Sequence, residues 1–249
     1  YVLFDKKPGY AEVDVVEDVN AHLLKQQANG KLVIPPKVNY EFAGNYVNQK
    51  RASDTLWKIL PVALVLIFLI LYLQFKKISV SLMVFSGIAV AWAGGFILIW
   101  LYGQGWFLDF SVFGINMRDL FQVGPINLSV AVWVGFLALF GIASDDGVLI
   151  ATYLEQTFGK RNPATVTEIR DAVVEAGKRR VKPALMTTAT TILALLPVLT
   201  STGRGSDIMV PMAIPTFGGM VFALITLFVV PVCYCGVKEL AVKLKSGRG

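Results

Sequence analysis

With 55% hydrophobic and only 16% charged residues in a chain of 249, this sequence is too apolar for a water-soluble enzyme and reads as a polytopic membrane protein. Its net charge of +6 is spread over the ends of apolar segments instead of forming one basic face with interleaved aromatics, which reports membrane topology and excludes a nucleic-acid partner. Cys233 and Cys235 stand too close together for an ordinary stapling bridge, so the chain has no disulfide framework.

The sequence begins at Tyr1 with neither an initiator Met nor a signal peptide, and is expected to be part of a larger polypeptide. Tyr1 to Asp5 is a short β-like run. After Pro8 and Gly9, Ala11 to Gln27 places Val13, Val16, Val19 or Asn20, and Leu23 or Leu24 at helical spacing. Gly30 to Pro36 makes a return, and Val38 to Ala43 alternates apolar and polar like a second strand. Residues 1–55 are therefore predicted to close an α+β domain of βαβ type on the outer side of the membrane. The single His22 has no Cys or second His nearby and reads as a solvated helix position, not a metal ligand.

Five apolar segments follow, near residues 56–75, 80–102, 128–154, 184–200 and 208–232, each long enough to cross a hydrocarbon core ~30 Å thick. They predict an all-α, five-helix transmembrane domain over 56–240 and a short tail over 241–249. Pro61 lies near the entry of the first span, and Gly87, Gly94 and Gly95 give the second its close-packing points. Trp100 and Tyr102 suit the headgroup belt. Between the second and third spans, Gly103 to Asn127 interleaves Trp106, Phe107, Phe110, Phe113, Leu120 and Phe121 with Asp109, Arg118 and Asp119, which predicts a loop lying in the interface. Glu155 to Lys182 is polar and basic, with an amphipathic helix near Ala164 to Ala176. Lys76 and Lys77, that basic segment and the tail with Lys238, Lys243, Lys245 and Arg248 all fall on one side of the membrane. The loops at 103–127 and 201–207 hold one Arg each, Arg118 and Arg204. The bias puts the C-terminus inside and the soluble domain outside.

Asp145 and Asp146 lie inside the third span, where a carboxylate near the bilayer centre costs at least ~2.5–3.5 kcal/mol and normally performs a task. Successive residues sit ~100° apart on a helix, so the two carboxylates have different partners. Asp145 shares a stripe with Ala138, Gly141, Val148 and Thr152, whose small members let helices approach, and this stripe is predicted to face inward. The competing reading is a buried structural ion pair with a basic residue from elsewhere. The fourth span opens with Pro183 in its first turn, where a missing N–H costs nothing, and Thr187, Thr190 and Thr191 share a face. Most such hydroxyls bond their own i−4 carbonyls, but Thr187 is expected at a depth where it can orient a proton near Asp145. In the fifth span Met209 and Met212 stand one turn apart, and thioethers suit Cu(I), although methionine is also ordinary packing. Cys233 and Cys235 read as small hydrophobes at a helix end.

The runs GFLALFGIASDDGVLIATYL, RRVKPALMTTATTILALLPVLTSTGRGSDIM and IPTFGGMVFALITLFVVP, in that order and spacing, resemble the closing spans of resistance-nodulation-division (RND) transporters, in particular their heavy-metal efflux branch. The resemblance covers essentially the whole chain, with its start similar to the end of that family's second periplasmic insertion and its spans to the eighth to twelfth of twelve. It implies a homotrimeric proton antiporter of the Gram-negative inner membrane, completed by the N-terminal half of the same pump and working with a periplasmic adaptor and an outer-membrane channel. It also implies a proton relay in which Asp145 takes the place of an acidic residue, Thr187 that of a threonine, and Arg180 lies near a basic residue, with Asp146 adjoining. Met209 falls where a metal-pathway methionine is expected, with Met212 next to it. Two departures matter: Ala184 stands where this branch has a lysine, and Asp146 where it has an apolar residue. The implied function is export of heavy-metal cations, with Cu(I) or Ag(I) as cargo and no resident cofactor. The alternatives are an RND pump for organic or lipid-like substrates and a non-transporting membrane scaffold. No nucleophile–base pair or metal triad suggests an enzyme.

Overall fold

The computed structural model describes residues 2, 4, 12–35, 38–163 and 165–246. Among these lie helices α1 (Glu12–Ala28), α2 (Asn45–Phe75), α3 (Ile78–Tyr102), α4 (Met117–Leu120), α5 (Val130–Arg161), α6 (Val166–Leu199) and α7 (Ser206–Ser246), and the hairpin β1 (Ser111–Val112) with β2 (Ile115–Asn116). Five of them, α2, α3, α5, α6 and α7, are long and apolar enough to cross a membrane.

The predicted βαβ closure is not found. Val38 to Ala43 forms no strand; an alternating run needs a neighbouring strand to pair with, and none exists among the described residues. The first predicted strand, Tyr1 to Asp5, lies largely outside them. What is present is α1, with His22 exposed beside Gln26, and α2 beginning at Asn45, so that Lys50 and Arg51 enter the membrane-spanning helix directly.

Two further corrections concern helix ends. The polar stretch Glu155 to Lys182 is no separate segment: α5 continues to Arg161 and α6 starts at Val166. Asn162 ends α5 in the left-handed region (φ 40°), its N–H donating to the Phe158 carbonyl. Thr165 opens α6 with a complete capping box to Glu168. Consequently Pro183 sits in the middle of α6 and not in a first turn. A Pro there forfeits one backbone hydrogen bond, which a membrane helix tolerates where neighbouring groups satisfy the freed carbonyl. The carbonyl freed here is that of Arg179; one turn further on, the Thr187 hydroxyl donates to the Pro183 carbonyl at 3.2 Å and to that of Ala184 at 2.9 Å.

The centre of the bundle is α3, α5 and α7. Half of α5's most apolar stretch is buried (50%), against 11% for α2 and 11% for α6. Buried side chains form three tiers: Val84, Ile150, Leu154, Phe158 and Tyr234 at the end carrying Lys77, Phe136, Leu139, Phe140 and Met220 in the middle, and Tyr102, Leu199 and Ile214 at the opposite end. Backbone meets backbone at Gly135, where an added Cβ would overlap the Met212 carbonyl oxygen, and at Gly218, where it would come within 2.8 Å of the Gly94 carbonyl oxygen. Without a hydrophobic driving force between helices in lipid, such close approach supplies the attraction. Thr216 adds a direct link, its hydroxyl donating to the Gly135 carbonyl at 3.1 Å.

Between α3 and α5 the chain folds into the hairpin. Phe113 and Gly114 both take positive φ (50° and 82°), the geometry of a tight two-residue turn. The Arg118 guanidinium gathers the carbonyls of Gln104, Gly105 and Phe107, fixing the loop's base. Trp106, Phe110, Phe113 and Ile115 remain exposed.

Candidate functional site

Helix geometry decides which aspartate faces the bundle. Asp146 lies on the buried stripe with Leu139, Ala143 and Ile150, three or four residues apart, and is itself buried. Asp145, one step of ~100° around, is exposed, as are Ala138 and Gly141, with Val148 and Thr152 half-buried. The stripe expected to face inward therefore faces outward in this chain. Small residues do not distinguish the two stripes, because Gly135 and Gly147 make the buried one equally small at the places where α7 and α3 approach.

Asp146 meets Arg180 across the α5–α6 interface. Arg180 donates through one terminal nitrogen to Asp146 Oδ1 at 3.2 Å, and the two side chains are only 12% and 11% exposed. Burial of this extent makes the pair strong if complete and costly if broken. It is not complete, since Arg180 Nε is buried without an acceptor among the described residues, leaving the guanidinium able to take another oxygen.

Asp145 opens on a groove of about 240 Å³, walled by Ile67, Ile70 and Leu71 of α2 and by Ser144 and Val148 of α5. Among the described residues no cation pairs with it. The two neighbouring carboxylates thus have separate surroundings, one neutralised between helices and one facing an apolar wall.

Thr187 is not joined to this pair. It lies seven residues beyond Arg180, or ~10 Å along α6, is exposed, and spends its hydroxyl on its own helix. Thr190 and Thr191 do likewise, donating to Thr187 and Met186 carbonyls. Ala184, where a lysine was expected from the resemblance, is fully buried, and its methyl leaves no room for a long cation without repacking. Met209 is exposed in the first turn of α7 and Met212 is half-buried one turn on. Among the described residues no three His, Cys, Asp or Glu side chains gather around a common point, so the soft donors at that end are thioethers.

One polar cluster has no counterpart in the sequence reading. At the basic end of the bundle Glu155 accepts from Lys77 through Oε2 and from the Tyr234 hydroxyl through Oε1 at 2.7 Å. Nearby, Arg170 grips Glu239 with two hydrogen bonds of 2.7 and 3.2 Å. Residues 69 to 79 positions apart carry no local signal of such pairing.

The chain as a whole is similar to known proteins. The model of the AcrB/AcrD/AcrF family matches residues 11–115 and 120–238. Relatives include the cation efflux system protein CusA of Escherichia coli, 32% identical over 86% of this chain and 19% of that protein. The putative cation efflux system protein SilA of Salmonella typhimurium is 30% identical over 89% and 19%, and the cobalt-zinc-cadmium resistance protein CzcA of Cupriavidus metallidurans 29% identical over 81% and 16%. Among solved structures, the crystal structure of a heavy metal efflux pump superposes on 92% of this chain and 20% of its own, with a TM-score of 0.65 and 25% identity. The chain spans about a fifth of the length of the curated relatives it matches. With the family model covering nearly its whole length and its relatives drawn from heavy-metal efflux systems, the chain belongs to the AcrB/AcrD/AcrF family, in the heavy-metal branch of the RND transporters.

Proposed function

We propose that this chain supplies the closing five spans of a pump that exports heavy-metal cations in exchange for protons. The observation that carries the reading is the Asp146–Arg180 pair: an ionic contact between two membrane-spanning helices, beside a second carboxylate that pairs with no cation among the described residues. Protonating Asp146 would remove one charge of the pair and release Arg180, so the α5–α6 contact has two states that a proton selects. One charge moved through 100 mV is worth ~2.3 kcal/mol, enough to bias such a two-state element substantially. In this scheme Asp145 receives the proton from the groove beside α2, Asp146 and Arg180 convert it into helix movement, and Thr187 orients a proton further along α6. With Ala184 in place of a lysine, the cation that the same helix supplies to this site is Arg180.

The cargo is a soft monovalent ion, Cu(I) or Ag(I), touched by Met209 and handed toward Met212; the support is thioether chemistry and the naming of CusA and SilA as cation efflux proteins. In the complete pump the chain joins the N-terminal half, assembles as a homotrimer in the inner membrane of a Gram-negative cell, and works with a periplasmic adaptor and an outer-membrane channel. The aromatic hairpin lies along the outer lipid interface.

The test uses the full-length pump in proteoliposomes with an imposed pH gradient. Asp145→Asn and Asp146→Asn should each abolish metal-dependent proton release while leaving expression and trimer formation intact. Undiminished proton release in both variants rejects the relay. In cells, Met209→Ile should lower tolerance to copper and silver and leave tolerance to cobalt, zinc and cadmium unchanged. The opposite pattern moves the cargo to the harder ions named for CzcA.

A further inference from the structure

At the basic end of the bundle α5, α6, α7 and the turn between α2 and α3 enclose a cavity of about 440 Å³, within the size range of small-ligand sites. Its polar lining is Lys77, Glu155, Asn162, Tyr234 and Lys238; Ile169, Ala241 and Val242 make one wall apolar. Two ammonium groups thus face one carboxylate. That carboxylate is already committed, to Lys77 on one oxygen and to the Tyr234 hydroxyl on the other. Lys238 makes no ion pair among the described residues. Its ammonium is held 5.4 and 5.5 Å from the ring centroids of Tyr234 and Phe158, rings that pack edge to face at 5.0 Å. Cation–π contact orients a lysine without neutralising it. The cavity therefore carries a net positive charge, with Lys238 pre-positioned by the two rings and, although its charge also acts on Glu155, in no direct ion pair among the described residues.

Depth narrows the ligand class. Lys76 and Lys77 end the apolar run of α2, and Glu155 is the first charged residue beyond the apolar run of α5. The cavity consequently opens where hydrocarbon gives way to headgroups, on the side that the Lys/Arg bias assigns to the cytoplasm. Basic pockets between spans at that level suit anionic lipid headgroups. We infer that this cavity binds a phosphate ester, with Lys238 and Lys77 contacting the phosphate oxygens and Ile169 and Val242 lining the apolar side. The ester is either the headgroup of an anionic phospholipid or a soluble phosphate.

The test uses the purified, delipidated full-length pump. Phosphatidylglycerol and phosphatidylcholine are added separately and bound lipid is counted by native mass spectrometry; labelled inorganic phosphate is followed by equilibrium dialysis. We expect phosphatidylglycerol to bind at least tenfold more tightly than phosphatidylcholine. Lys238→Gln should weaken that binding tenfold or more, Lys238→Arg should restore it, and Lys243→Gln, on the same helix but outside the cavity, should leave it unchanged. Glu155→Gln gives a sign that a merely structural role would not: by removing the competing carboxylate and freeing Lys77 it should tighten binding several-fold. Saturable binding of inorganic phosphate with the same mutational pattern, and no preference for phosphatidylglycerol, assigns the site to a soluble ester. Equal retention of both lipids without phosphate binding overturns the inference, as does phosphatidylglycerol binding that is insensitive to Lys238→Gln and Glu155→Gln.

Discussion

Helices α3, α5 and α7 are joined backbone to backbone, whereas α6 stands against them through side chains and, among the described residues, three ion pairs, Asp146–Arg180 and Arg161–Glu175 to α5 and Arg170–Glu239 to α7. At Gly135 and Gly218 no side chain separates the helices, and Leu139 and Phe222 close over Gly219 and Gly94. On α6 the buried side is Ile169, Ala172, Val173, Ala176, Ala184, Thr188 and Leu199, while its other side borders a groove of about 730 Å³ shared with Leu227, Phe228 and Pro231 of α7. Lipid offers no hydrophobic reward for bringing helices together, so a membrane bundle depends on close van der Waals contact or on polar pairs. In this molecule the first joins α3, α5 and α7, and the second adds to the contacts that hold α6. The proton-coupled pump proposed above needs both, because movement of one element is useful only against another that stays still.

The largest expected effect comes from breaking the attachment. Arg180→Ala leaves Asp146 buried without its cation, a change that costs about 3–5 kcal/mol in comparable pairs. The full-length pump should lose thermal stability and transport together. Replacing both partners, Asp146→Leu with Arg180→Leu, removes the uncompensated charge and should recover most of the stability, but no transport. Recovery of transport by the double variant would show that the pair is only a structural contact. Next in size is damage to the fixed unit. Gly135→Ala forces a methyl onto the Met212 carbonyl and should cost about 1–3 kcal/mol, read as a lowered unfolding temperature. If Gly135→Ala is neutral while Arg180→Ala is severe, the distinction between a rigid triad and a hinged helix fails, and α5–α7 must itself be adaptable.

The five spans were legible in the sequence, the division among them was not, and the gap has physical reasons. Apolar runs of spanning length announce themselves, because a helix needs about 20 predominantly apolar residues in succession to sit in lipid. The ends of α5 and α6 were obscured because their polar continuations look like a loop, although Asn162-Pro163 and the Thr165 to Glu168 capping box mark the true boundary. Helical angle alone established that Asp145 and Asp146 face different ways. It did not establish which way, because that depends on where α3 and α7 stand, and stripes of small residues occur on both sides of α5. The Arg180 partner of Asp146 and the Tyr234 partner of Glu155 lie 34 and 79 positions away, contacts made only by the packed bundle. The hairpin had a local signature, Phe113-Gly114 between Val112 and Ile115, masked by the aromatic composition of its surroundings.

A smaller effect sharpens the contrast within the fixed unit. The Thr216 hydroxyl links α7 to α5 through the Gly135 carbonyl, besides bonding the Met212 carbonyl in its own helix. Interhelical hydrogen bonds in membrane proteins average ~0.6 kcal/mol and reach ~1.7. Thr216→Val, nearly the same shape, should lower stability by about that amount without altering transport. A larger loss would mean that the hydroxyl positions the helices as well as joining them.

The smallest effect is expected on the outer face of α6, where the same chemistry should count for nothing. Thr190 and Thr191 are threonines in a membrane helix like Thr216, but their hydroxyls donate to the Met186 and Thr187 carbonyls of their own helix. Thr190 is exposed, and Thr191 is half-buried. Alanine loses those bonds, yet the carbonyls keep their places in the helix ladder, and alanine has the higher helix propensity. Thr190→Ala should therefore change the unfolding temperature of the full-length pump by no more than about 0.5 kcal/mol would. Thr187→Ala, on the same face, should be equally neutral for stability while slowing transport if its hydroxyl orients a proton. A loss above about 1.5 kcal/mol for Thr190→Ala exceeds what an exposed self-bonded hydroxyl supplies. Such a loss would mean that another part of the assembled pump covers this face, and α6 would then be clamped between two bundles instead of attached to one.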